Sequence, residues 1–63
     1  MEISALRRSI DNRSILIIDD EESIRKLLAA LLQRHGYQCV MAADAREARQ
    51  RMADQEFALA LCD

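Results

Sequence analysis

A chain of 63 residues has room for one small domain, and a domain of that size buries only about 60% of the surface its unfolded form exposes. Its residues are 51% apolar and 32% charged, enough apolar matter for a core and a composition that argues against intrinsic disorder. A formal charge of −2, with one Tyr and one Phe as the aromatics, provides neither a basic patch nor a stacking platform for nucleic acid.

Residues 1–13 read as a leader ahead of the domain proper, 14–63. Ile3, Leu6 and Ile10 fall at helical spacing and permit a short amphipathic helix; a frayed extension is the other reading. The leader lacks the continuous apolar run of a secretory signal. Nowhere does the chain approach the roughly 18–20 apolar residues of a membrane span. Ser14–Ile18 has no polar alternation, the pattern of a strand buried on both faces of a parallel sheet. Asp20 to Ser23 then supplies acidic and hydroxyl groups where a helix must start. Ile24, Leu27, Leu28, Leu31 and Leu32 form one apolar stripe on that helix. Gly36 follows Arg34 and His35 where a helix terminator belongs. His35 reads as a cation at the negative end of the helix dipole rather than as a ligand.

Tyr37–Ala42 (YQCVMA) reads as a second strand. Asp44 and Glu47 have the spacing of a capping box and open a second helix. Ala45, Ala48 and Met52 give it a thin apolar stripe, with Arg46, Arg49 and Arg51 toward water. Met41 and Met52 read as core filler. Phe57–Cys62 (FALALC) is a third uninterrupted apolar run. Cys39 and Cys62 form no CxxC pair and have no accompanying His cluster, so they read as small hydrophobes rather than zinc ligands. Together with the missing signal and span, such cysteines suit a reducing cytoplasm. The order β-α-β-α-β with short connections implies right-handed crossovers and a parallel sheet.

Parallel βαβ units bring the C-terminal ends of all strands to one edge, and ligands bind where successive connections diverge. With the first strand central, Asp19, Asp20 and Asp63 converge there. Each pair of carboxylates at 4 Å costs about 1 kcal/mol in bulk water and about 4 at an effective dielectric near 20. The adjoining sequence offers no compensating Lys or Arg at the strand ends. A proton or a cation must therefore relieve the cluster. Mg²⁺ suits it, being held by one or two carboxylates while keeping several waters. A remaining aspartate is then placed to attack phosphorus and form an aspartyl phosphate. A nucleotide-binding enzyme is not supported, because DDEES after the first strand contains no glycine to cradle phosphates.

ILIIDDEESIRKLL, HGYQCVMAADAREA and EFALALCD together resemble the receiver domain of two-component response regulators, from about Ile15 to Asp63. The resemblance implies a flavodoxin-like sheet of strand order 2-1-3, a signalling module rather than an enzyme, and a histidine kinase as partner. Position by position, it implies that Asp63 accepts the phosphoryl group, that Asp20 binds Mg²⁺ directly, and that Asp19 acts largely through metal-bound water. Glu22, Ala45, Arg49 and Ala58 depart from the family's frequent proline, glycine, leucine and aspartate, and none touches the acids. The family's later strands, with their Ser/Thr and Lys, lie beyond Asp63. The resemblance thus implies the N-terminal half of a doubly wound (βα)5 domain. Arg13, Arg25, Lys26 and Arg34 lie before the first strand or on its helix, and none is assigned the role of the family's lysine. The third strand is then expected to present an open apolar edge for self-association. The competing function is a pseudo-receiver fragment that uses that edge to dimerise or bind a partner.

Overall fold

All but the last residue of Ser14–Ile18 are buried, because the strand they form is covered on both faces. The computed structural model describes the backbone of residues 2–5 and all of residues 13–62. The elements in chain order are β1 (Glu2–Ala5), β2 (Ser14–Ile18), α1 (Glu22–Arg34), β3 (Gln38–Ala42), α2 (Ala45–Asp54) and β4 (Leu59–Cys62). β2 pairs in parallel with β3 on one side and β4 on the other, so Ile15 lies opposite both Cys39 and Leu59. The three parallel strands thus have the expected 2-1-3 order, half of a flavodoxin-like sheet.

Alternation along β2 divides the core in two. Ile15 and Ile17 pack with Ala29 of α1, flanked by Leu28, Leu32 and Cys39. Leu16 faces the other way, into a cluster with Ala42, Ala48 of α2, Phe57 and Ala60. One helix therefore covers each face, as successive right-handed crossovers in opposite directions require. Complete burial of Leu16 and Ile17 is worth about 1.5–3 kcal/mol for each side chain. Cys39 and Cys62 are half-buried and not disulfide-bonded. Burial pushes the Cys39 thiol above its ordinary range, and its Sγ points at the Ala29 carbonyl, 3.8 Å away.

The end of α1 and the start of α2 are both set by recognisable devices. Gly36 adopts φ +88°, a conformation open to glycine at little cost. This lets Tyr37 N–H reach the Leu32 carbonyl at 3.2 Å and Gly36 N–H reach Gln33 at 3.0 Å, the paired bonds of a Schellman motif. At the start of α2, the Asp44 carboxylate accepts the Glu47 N–H at 2.9 Å. Glu47 returns an oxygen to the N–H of Ala43 at 3.3 Å, one residue earlier than in the usual capping box.

Several expectations need correction. Glu2–Ala5 is a strand rather than the start of an amphipathic helix, paired antiparallel with β4 from Glu2 opposite Cys62 to Ala5 opposite Leu59. Leu6 and Ile10 of the proposed stripe lie outside the described residues. A short isolated helix is marginal in water, whereas the side of β4 away from β2 offers a row of unpaired main-chain groups. The sheet is therefore four-stranded, ordered β1-β4-β2-β3, and β4 does not present the open edge expected for self-association. Met41 and Met52 are exposed rather than core filler, and Leu27 and Leu31 are 57% and 47% exposed despite lying on the apolar stripe of α1. That stripe is wider than the strip of sheet it meets, and contact with the sheet falls on Leu28, Ala29 and Leu32.

Candidate functional site

The acidic residues follow β2 directly, at the sheet edge where the parallel strands end. Asp19 extends the ladder by donating its N–H to the Ala42 carbonyl at 3.2 Å. It is only 3% exposed, and its main chain and side chain are held at three points. Its Oδ1 accepts the Glu21 N–H at 2.9 Å, a local turn of the kind aspartate makes with the backbone two residues on. Its carbonyl accepts a hydrogen bond from Arg25 Nη1 at 2.6 Å. Glu21, the N-cap residue of α1, makes no side-chain cap. Asp19 thus serves the entry to the helix, while of the expected stretch Asp20 to Ser23 it is Glu22 that places an acid in the first turn.

Asp20 differs from its neighbour by being exposed. The structure keeps the two acids adjacent but gives them different environments: one buried and fixed, the other open. Both supply hard carboxylate oxygens, and Asp19 keeps Oδ2 outside its bond to Glu21, a donor set suited to Mg²⁺ with its retained waters. Asp63 lies outside the described residues. β4, which precedes it, pairs with β2 so that Cys62 stands opposite Ile18, the residue before Asp19. Among the described residues, no three or more His, Cys, Asp or Glu side chains gather into a metal-holding group.

Arg25 is the residue that sequence reasoning passed over. It lies six positions beyond Asp19, inside the first turn and a half of α1, and folding the helix back against the strand end brings its guanidinium onto the loop. Its neighbour Lys26 pairs with Glu22 at 2.7 Å. Hydrogen bonding to Lys26, then the charges of Lys26 and Arg25, hold the Glu22 carboxyl below its usual range. Between the first turns of the two helices runs an open cleft of about 280 Å³, lined by Arg25, Lys26, Met41, Ala43 and Glu47 among others. Neither Asp19 nor Asp20 lines it, so the cleft adjoins the acidic site without containing it.

Comparison with known proteins places this geometry. The family model for the response regulator receiver domain matches residues 15–63. Over 58 residues the chain is 41% identical to the CAI-1 autoinducer sensor kinase/phosphatase CqsS of Vibrio cholerae, covering 92% of this chain and 8% of that protein. It is 42% identical over 53 residues to the transcriptional regulatory protein ZraR of Escherichia coli, covering 84% of this chain and 12% of the relative. It is 38% identical over 55 residues to the transcriptional regulatory protein GltR of Pseudomonas aeruginosa, covering 87% and 23%. The chain therefore spans less than a quarter of the length of these relatives. No solved structure gives a significant match. Among the described residues, no helix is long and apolar enough to cross a membrane.

Proposed function

Because the chain belongs to the response regulator receiver family, a family of two-component signalling modules, we propose that it takes a phosphoryl group from a histidine kinase onto Asp63, with Mg²⁺ held at Asp19, Asp20 and Asp63. The receiver unit in this reading is 14–63, preceded by a leader at 1–13, and half-buried cysteines outside any disulfide suit a cytoplasmic setting. One observation carries the reading: β2 and β4 are parallel neighbours with Ile18 opposite Cys62, the two residues that precede Asp19 and Asp63 in sequence.

Transfer of this kind forms one P–O bond to a carboxylate oxygen and breaks one P–N bond to the donor imidazole, whose nitrogen keeps the electron pair. Mg²⁺, when bound, offsets repulsion between the acids and the incoming phosphoryl oxygens. The residues of the chain divide the remaining work. Asp20, open to solvent, would supply a direct oxygen ligand to the metal. Asp19, held by Ala42 and Glu21, would act on the metal largely through water, from a carboxylate whose position is already set. Asp63 supplies the attacking oxygen.

The test is labelling by a small phosphodonor such as acetyl phosphate, with and without Mg²⁺, read by intact mass and by peptide mapping. A Mg²⁺-dependent gain of one phosphoryl group, located at Asp63 and lost in Asp63→Asn, is expected. Labelling that survives Asp63→Asn refutes the assignment.

A further inference from the structure

We infer that Arg25 is a positioning residue for the acidic loop: its bond to the Asp19 carbonyl sets the direction in which Asp20 is presented. The inference rests on the reading of Asp20 as a metal ligand. The 2.6 Å bond from Nη1 falls on the carbonyl of the peptide that joins Asp19 to Asp20. Upstream of that peptide, the Asp19 N–H is fixed on Ala42, and across it the Asp19 Oδ1 holds the Glu21 N–H, so both ends of the short turn are anchored. Among the described residues, the hydrogen bond to the peptide unit between the two acids comes from Arg25. Rotation of a peptide plane moves the next Cα–Cβ vector with it, so releasing the carbonyl redirects the Asp20 carboxylate while Asp19 stays pinned.

A guanidinium bonded to the main chain between two acids has a second effect, opposite in sign. Its charge competes with an arriving cation, so charge alone predicts that Mg²⁺ binds more tightly without Arg25. Position predicts the reverse, because losing a partner that orients a metal ligand typically weakens metal affinity about 10–100-fold. The sign of the change therefore separates the two roles.

The experiment uses the full chain and its Arg25→Met, Arg25→Lys and Lys26→Met variants, titrated with MgCl2 and followed by backbone NMR. Arg25→Met is expected to weaken Mg²⁺ binding about tenfold and to shift the Asp20 and Glu21 amide signals already in the metal-free state. Arg25→Lys, which keeps a donor and a charge of similar reach, is expected to recover most of the affinity. Lys26→Met, which removes a neighbouring cation with no bond to the loop, is expected to change affinity less than twofold. Tighter binding in Arg25→Met overturns the inference, and so do unchanged metal-free Asp20 and Glu21 signals in that variant. Should the unsubstituted chain itself fail to bind Mg²⁺, the metal reading fails, while the metal-free spectra of Arg25→Met still decide the role of Arg25.

Discussion

Phe57→Ala is the substitution that bears hardest on this fold. Phe57 is the largest of the side chains that are almost completely buried, at 1% exposure. Three of its cluster partners, Ala42, Ala48 and Ala60, are small, and Leu16 is a strand residue already fully buried, so little side chain is left to fill the space an alanine leaves. The cost therefore belongs at the upper end of the about 3–5 kcal/mol typical of Phe-to-Ala changes in cores. Set against it is a total stability of roughly 3–9 kcal/mol for a chain of this length, at about 0.05–0.15 kcal/mol per residue. With a urea m-value of about 1 kcal/mol/M for so small a domain, the midpoint should fall by about 3 M or more. Urea unfolding followed by circular dichroism at equal protein concentration measures this directly. Exposed Met52, changed to Ala, provides the control and should shift stability by less than about 0.5 kcal/mol. A Phe57→Ala midpoint within about 1 M of the parent would falsify the packing account, since it requires an unfilled void beside Leu16.

Three further outcomes are expected. Gly36→Ala places a Cβ 3.5 Å from Arg13 Nη1, an ordinary contact, so its cost is the positive φ of +88°; about 1–2 kcal/mol of lost stability is expected, read from the urea midpoint. Asp44→Ala removes the cap on the Glu47 N–H and should cost about 1 kcal/mol, with faster hydrogen exchange at that amide. Lys26→Met should return the depressed Glu22 carboxyl toward its ordinary range in an NMR pH titration. Because that pKa is lowered by folding, the contribution of the pair is present above the ordinary carboxylate value and is lost as pH falls through the depressed one; a flat Glu22 response to the substitution would contradict the pairing.

The local devices were legible in the sequence because each is written by adjacent residues. The run SILII is apolar at every position but its first, and a strand buried on both faces requires that. Gly36 and the Asp44–Glu47 pair carry their conformations in their own chemistry, whatever the surroundings. The acidic pair was legible for the same reason, since Asp19 and Asp20 are neighbours in the chain. Periodicity was less informative about burial: Leu27 and Leu31 share the stripe with Leu28 and Leu32, yet only the latter pair packs on the sheet.

Tertiary structure alone decided the rest. Whether Glu2–Ala5 becomes helix or strand depends on a partner more than 50 positions away in sequence, the free side of β4. The different surroundings of Asp19 and Asp20 depend on Ala42 reaching the first and leaving the second in water. The grip of Arg25 on the loop depends on the angle at which α1 leaves the strand. Residue type and spacing specify hydrogen bonds and capping within a few residues of one another, whereas contacts across the sheet depend on how separately formed elements come to rest together.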